Sequence, residues 1–205
     1  MLVIGLTGGI GMGKSSAALH FANRGVPVFS ADACVHELYE GKAAPAIEAE
    51  FPGFVRGGKV DRKLLSERVS GWPKGLKKLE EIVHPMVVEA EIEFLREQEK
   101  KGEKLAVLEI PLLFETDARD RVDVTVVVSA PRHLQWRRVM MRPGMTAAKL
   151  EHLIARQLPD TKKRALADFV VDSGKTHEDM HAQIDKIIES LKDRDGRVME
   201  RLRAQ

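Results

Sequence analysis

The sequence predicts a doubly wound α/β fold built on a five-stranded parallel sheet. Three observations carry that prediction. Five short runs are apolar at nearly every position, helical patterns separate them, and a glycine-rich turn joins the first run to the first helix. Strands that are apolar on both faces are expected where helices cover both sides of a sheet. Helices between successive strands imply right-handed crossovers and parallel pairing. The strands are read at residues 2–6, 26–29, 105–110, 123–129 and 168–171. Residues 15–23 read as the first helix, closed by Arg24-Gly25. Residues 176–191 read as an amphipathic closing helix, with Met180, Ile184, Ile187, Ile188 and Leu191 on one side. The tail at 193–205 is strongly charged and is expected to fray.

Residues 31–103, between the second and third strands, are too many for one crossover and read as almost wholly helical. Asp61 fits an N-cap before a helix at 62–69, and Pro85 fits the first turn of a helix running on through 86–101. This stretch is read as a helical insertion that grips a substrate. A second insertion at 142–167 carries Arg142, Lys149, Arg156, Lys162, Lys163 and Arg164 and reads as a basic lid. The core is then 1–30, 104–141 and 168–192, within one unit of 205 residues.

Composition narrows the function. Lys and Arg number 33 against 31 Asp and Glu, a net charge of +2, too small a field to argue for nucleic acid or an anionic membrane. Aromatics are 5%, too few for base-stacking platforms. Cys34 is the single cysteine, which excludes an intrachain disulfide and a cysteine-based zinc cluster and suits a reducing compartment. No run approaches the roughly 20 apolar residues of a membrane span, and the first apolar run is too short for a signal peptide. A cytoplasmic monomer or weak oligomer acting on small molecules is expected.

Gly8-Gly9-Ile10-Gly11-Met12-Gly13-Lys14-Ser15 matches G-x-x-x-x-G-K-[ST] after a strand and before a helix. Glycines let successive N–H groups point inward and keep side chains away from the phosphates. The helix start adds its positive dipole end. Gly9, Gly11, Met12 and Gly13 would form the cradle for ATP, with Lys14 on the β- and γ-phosphates. Ser15 would offer its hydroxyl to Mg²⁺ and Ser16 would reach the α-phosphate. The loop gives nucleotide binding but no reaction, since GTPases, motor ATPases and small kinases share it. The N-K-x-D guanine motif of GTPases is missing. The chain length, helical insertion and late basic segment point to a small-molecule kinase.

Further motifs make the assignment narrower. They are I-G-L-T-G-G-I-G-M-G-K-S at 4–15, G-V-P-V-F-S-A-D-A at 25–33 and V-D-R-K-L-L at 60–65. L-E-E-I-V-H-P at 79–85 and I-P-L-L-F-E at 110–115 follow. R-R-V-M-M-R at 137–142, A-R-Q at 155–157 and A-D-F-V-V-D-S-G at 167–174 complete the set. In this order, over roughly residues 2–191, the chain resembles the dephospho-coenzyme A kinase family. The resemblance implies transfer of the ATP γ-phosphoryl group to the ribose 3′-hydroxyl of dephospho-CoA, the last step of CoA synthesis.

Asp32 follows the second strand, where α/β sites form. A carboxylate there either orients the attacking hydroxyl or caps the next helix, and spacing alone leans to the cap. The resemblance favours the base, because the family's D-A-D motif ends at this position. This chain has Ser30-Ala31-Asp32, without the first acid. Glu109 ends the third strand and either holds Mg²⁺, as acids at that position do, or pairs with a base. Arg138 and Arg142 are four apart on a predicted helix and would share one face toward ATP. Arg142, where the lid begins, would neutralise charge on the transferring phosphoryl. The family's R-D-G is Arg142-Pro143-Gly144 here, and proline would stiffen the hinge.

The resemblance also implies acceptor contacts at Thr7, His84, Leu112, Leu113, Phe114 and Arg156. For Leu112, Leu113 and Phe114 core packing is as good a reading, and Arg156 could be a solvated helix charge. Before its proline, His84 could instead be a structural cap. Arg62 could reach a substrate phosphate or remain a solvated helix charge. The loop at Ser173 would pass the adenine through its backbone, and Cys34 reads as a small buried hydrophobe. The rivals are a kinase of the same fold on another hydroxyl or a nucleoside monophosphate, a nucleotide switch without an acceptor, and a nucleic-acid module.

Overall fold

Residues 1–69, 71–116 and 118–204 are described by the computed structural model. Its elements in chain order begin with β1 (Leu2–Thr7), α1 (Lys14–Asn23), β2 (Val28–Ser30), α2 (Ala31–Tyr39) and α3 (Ala44–Glu50). Then come β3 (Val55–Arg56), β4 (Lys59–Val60), α4 (Arg62–Val69), α5 (Pro73–Lys100) and β5 (Leu105–Glu109). A 3₁₀ turn (Ala118–Arg121) leads to β6 (Val124–Ser129), α6 (Arg132–Met140), α7 (Ala147–Ala155) and α8 (Asp160–Leu166). The chain closes with β7 (Phe169–Asp172), α9 (His177–Leu191) and α10 (Val198–Arg203).

The main sheet has the order β2-β5-β1-β6-β7. β1 pairs parallel with β5 on one side, Leu2 opposite Leu105, and with β6 on the other, Ile4 opposite Val124. β6 pairs parallel with β7. Strand order thus reverses beside β1, which puts the binding crevice of such a sheet at the C-terminal end of β1. All six residues of β1 and all of β5 and β6 are buried, as the continuous apolar runs require. On one face Leu2, Ile4 and Leu6 pack with Phe21 of α1 and with Met180, Ile184 and Leu191 of α9. On the other face the chain comes so close that a Cβ on Gly5 would lie 2.9 Å from both Val122 methyls.

Two compact units form: residues 1–29 with 95–205, and residues 30–94. The second unit holds α2, α3, the β3–β4 hairpin, α4 and the first part of α5. Ile47, Phe51, Leu65 and Val83 are buried in it. Phe51 meets Trp72 edge-on at 6.1 Å between ring centroids. Leu64 N donates to Asp61 Oδ1 at 3.1 Å, the expected cap of α4.

Four sequence expectations change. The insertion is not wholly helical, because Gly57 (φ 57°) and Gly58 (φ 78°) turn a two-residue hairpin between β3 and β4. Pro85 does not start a helix but lies inside the 28-residue α5. It is exposed, and it leaves the carbonyl one turn earlier without its helical N–H donor. Arg142 lies beyond α6, which ends at Met140. The residue before a proline avoids helical geometry, and here that residue is Arg142 itself. The tail does not wholly fray: Asp123 Oδ1 accepts from Arg197 N at 2.7 Å and Val198 N at 3.0 Å, while its Oδ2 accepts from Val3 N at 2.8 Å. Val198 and Met199 are buried.

Candidate active site

β1 ends at Thr7 and the chain turns through six residues before α1 begins. Gly11 (φ 74°) and Gly13 (φ 90°) adopt left-handed backbone, and a Cβ on Gly11 would stand 2.4 Å from Val139 Cγ2. Only glycine fits there. The five carbonyls from Gly9 to Gly13 are all bonded within the protein. Gly9 O accepts from Met12 N at 3.1 Å, and Gly13 O from Ala17 N at 3.1 Å. Ile10 O accepts from Gln135 Nε2 at 2.9 Å, Gly11 O from Arg138 Nη1 at 3.5 Å, and Met12 O from Ser173 Oγ at 2.6 Å. With these carbonyls engaged, the first N–H groups of α1 are left, as at any helix start, without an intrahelical partner. The backbone of Gly13, Lys14, Ser15 and Ser16 is thereby suited to an anion.

Lys14 Nζ lies 2.5 Å from Glu109 Oε1, with side-chain exposures of 12% and 9%. Of the two readings of Glu109, the pairing is the one present: it is a buried acid paired with a base, and that base is the loop lysine. Glu109 and the Ser15 hydroxyl supply hard oxygen donors, the set that suits Mg²⁺ shared with substrate phosphates. Among the described residues no cluster of three or more His, Cys, Asp or Glu could hold a metal by itself. A magnesium ion carried on phosphates does not need one.

Arg138 is fastened behind the loop. Its guanidinium donates to Ser173 O at 2.6 Å and to Ser173 Oγ at 3.0 Å. Ser173 N donates to Ser129 O at 2.8 Å, so the backbone expected at the adenine is committed to the sheet at this residue. Met12 is engaged too, its amide on Gly9 O and its sulfur accepting from Ala130 N at 3.2 Å. Arg142 and Arg156 are exposed, at the two ends of the segment that holds α7.

Thr7 is fully buried and its hydroxyl donates to Pro111 O at 3.1 Å, which ties the end of β1 to the start of the P-L-L-F turn. Leu112 and Phe114 are half-buried. Leu113 is fully buried, against the space a Cβ on Gly5 would enter, and packs the core. A cleft of about 830 Å³ opens beside the loop, lined by Met12, Pro131, Gln135, Ile154, Gln157 and Arg164 among others.

In the second unit Asp32 stands in the first turn of α2. The cap is Ser30, whose Oγ accepts from Ala33 N at 3.4 Å. Asp32 is therefore not the capping residue, and its exposed carboxylate sits where the helix dipole favours an anion. Arg62 opens α4, exposed, within electrostatic reach of Tyr39 and Glu40. His84 is exposed in the middle of α5, which removes the capping reading. Burial, with Glu37 nearby, pushes the Cys34 thiol above its ordinary value, so it stays protonated and inert as expected.

Sequence reasoning missed the residues that brace the site. Lys163, grouped with the lid's positive charges, is 1% exposed and pairs at 2.8 Å with Glu115. Glu115 Oε1 also accepts from Leu158 N at 2.8 Å, and Asp160 Oδ2 accepts from Ser129 Oγ at 2.8 Å. Gln157 Oε1 accepts from Ile10 N at 3.1 Å. Glu115 and Gln157 stand in the P-L-L-F-E and A-R-Q motifs, which was the available signal.

A parallel sheet with a strand–glycine loop–helix at its switch point, and a loop lysine matched to an acid on the next strand, defines a nucleotide-binding protein of the P-loop kinase class. Comparison with known proteins narrows it. The family model for CoaE, dephospho-CoA kinase, matches residues 2–179. The dephospho-CoA kinase of Brucella melitensis is 55% identical over 191 residues, 93% of this chain and 96% of the relative. That of Mesorhizobium japonicum is 52% identical over 196 residues, 96% of this chain and all (100%) of the relative. The chain belongs to the dephospho-CoA kinase family. A solved dephospho-CoA kinase from Campylobacter jejuni is 26% identical with a TM-score of 0.71, covering 93% of this chain and 96% of that one. TT1252 from Thermus thermophilus is 34% identical with a TM-score of 0.80, covering 93% and 97%. An Acinetobacter baumannii shikimate kinase, 15% identical with a TM-score of 0.55, shares the fold.

Proposed function

We propose that the chain carries out its family's reaction, moving the γ-phosphoryl group of ATP to the ribose 3′-hydroxyl of dephospho-CoA, the last step of CoA biosynthesis. Membership of the family across residues 2–179 carries the reading. The backbone of Gly11, Gly13 and the first turn of α1 holds the phosphates, and Lys14 exchanges its partner Glu109 for the β- and γ-oxygens. Ser15 and Glu109 are the residues that would hold Mg²⁺, which when bound draws negative charge from the phosphates. Asp32 takes the proton of the attacking hydroxyl as the new P–O bond forms and the bond to the β-phosphate oxygen breaks. Arg142 neutralises charge on the transferring group, and the segment 142–167 closes over it to keep water out.

The helical stretch 31–103, with Arg62 and His84, is the part proposed to grip the acceptor, and Leu112, Phe114 and Arg156 are proposed as further acceptor contacts; Thr7, fully buried and bonded to Pro111 O, is not one. Arg138 and Ser173, bonded to each other and to the carbonyls of Gly11 and Met12, brace the phosphate loop. No described helix is long and apolar enough to cross a membrane, which fits the cytoplasmic, small-molecule setting proposed. The test is incubation with ATP, Mg²⁺ and dephospho-CoA, with CoA read by mass spectrometry. Nucleoside monophosphates and shikimate serve as competing acceptors. CoA as the single phosphorylated product is expected. Hydrolysis of ATP with no phosphorylated acceptor would leave the nucleotide switch, and phosphorylation of another acceptor would replace the substrate.

A further inference from the structure

The tip of the phosphate loop is held by two glutamine side chains from distant parts of the chain. Ile10 N donates to Gln157 Oε1 at 3.1 Å, and Ile10 O accepts from Gln135 Nε2 at 2.9 Å. The two amides are used with opposite polarity. A backbone N–H requires an acceptor and a backbone carbonyl a donor, so each glutamine presents a defined end. They also close on the neighbouring residue: a Cβ on Gly9 would stand 3.3 Å from Gln157 Oε1 and 3.4 Å from Gln135 Nε2. Both backbone groups of Ile10 are thus consumed from outside the loop, and its N–H is withheld from the phosphates.

Each glutamine is itself fixed. Gln135 is buried on α6. Gln157 follows α7, its own N–H bonded to Ile154 O at 3.0 Å. The next residue is anchored too, Leu158 N on Glu115 Oε1 at 2.8 Å, and Asp160 holds Ser129 two residues later. The C-terminal foot of the 142–167 segment is thus anchored, and the foot carries the residue that grips the loop.

We propose that Gln157 is a positioning residue for phosphoryl transfer. It sets the tip of the phosphate loop, with Gln135 as its counterpart, and ties loop geometry to the C-terminal foot of the lid. The inference rests on the reading that this loop cradles ATP. Gln157 touches backbone rather than substrate and acts through the orientation of the remaining loop amides.

Two pairs of variants test it. Gln157→Met and Gln135→Met keep length while deleting the bonds. Each is expected to raise KM for ATP about tenfold, the worth of one well-placed hydrogen bond, and to leave KM for dephospho-CoA within about twofold. Gln157→Glu keeps an acceptor for Ile10 N, whereas Gln135→Glu sets an acceptor against Ile10 O. Both add the same charge beside the loop, so their difference reads hydrogen-bond polarity. Gln157→Glu is expected to recover most of the loss in Gln157→Met, and Gln135→Glu to be at least about tenfold worse than Gln157→Glu in kcat/KM for ATP. Equal behaviour of the two Glu variants, or Gln157→Met with an unchanged KM for ATP, overturns the proposal. So does a parallel rise in both KM values with a lowered melting point, which marks a merely structural residue. If Gln135→Glu does not fold, the Gln157 series alone decides. Wild-type protein that binds ATP but makes no CoA sinks the functional reading instead, and the glutamines are then read by ATP affinity.

Discussion

The buried Glu115–Lys163 pair is open to a direct stability test. Lys163 is 1% exposed and Glu115 13%, their charged atoms 2.8 Å apart. Breaking a buried pair by removing one partner costs about 3–5 kcal/mol, because the other charge is left in a poor solvent. Glu115→Gln keeps an oxygen for Leu158 N, so the expected loss is about 3 kcal/mol, the lower end of that range. Lys163→Met leaves the better-hydrated carboxylate and should cost about 2 kcal/mol. The double variant leaves no charge and should lose no more than the milder single variant, about 2 kcal/mol, a coupling of about 3 kcal/mol. With a urea slope of about 2 kcal/mol/M, Glu115→Gln lowers the unfolding midpoint by about 1.5 M. Trp136 lies on α6 and Trp72 in the other unit, so Trp136 fluorescence in a Trp72→Phe background follows the right part of the chain. Additive losses in the double variant, or a Glu115→Gln midpoint within about 0.2 M of wild type, would refute the argument.

Three further outcomes are expected. Asp32→Ala is expected to lower kcat by about 10²-fold or more while ATP affinity stays within about twofold, because the variant loses the proposed base and keeps the cap at Ser30; stopped-flow turnover and nucleotide titration read both. Arg142→Ala lowers kcat at least about tenfold with little change in KM, and a change confined to KM would make it a binding residue. Burial of Asp168 opposes its charge, but bonds from Thr125 N and Oγ1 and the charges of Arg119 and Arg194 outweigh this and hold its carboxyl below the ordinary value. A depressed folded pKa gives stability that is present above the unfolded value and lost as pH falls through the folded one. Asp168→Asn should therefore cost about 1 kcal/mol at neutral pH, discounted for a side chain 42% exposed, and the two proteins should converge in acid melting series below about pH 4.

What the sequence makes legible is local. Apolar runs place β1, β5, β6 and β7, and the glycine spacing places the phosphate loop, because each depends on residues within one turn or strand. The capping box of α9, with Thr176 and Asp179 bonding each other's backbone, follows the same logic. The hairpin at Gly57-Gly58 had its signal in two adjacent glycines, outweighed by the helical periodicity around it. The braces were not legible, because they join residues far apart: Gln135 reaches Ile10 across 125 positions and Gln157 across 147. No periodicity says which glutamine amide faces a loop or which lysine is buried. Lys163 and Arg164 are neighbours in a basic stretch, yet one is enclosed and the other lies in water.

The ion pair of Lys14 with Glu109 bears on how a turnover ends. A departing phosphate would ordinarily strand an ammonium in a pocket with little water, and that penalty would slow release. Here a carboxylate stands 2.5 Å from the ammonium and takes it back. On the proposed reading, spent nucleotide would leave by the swap of one anion for another, and without nucleotide the ammonium is already neutralised inside the protein.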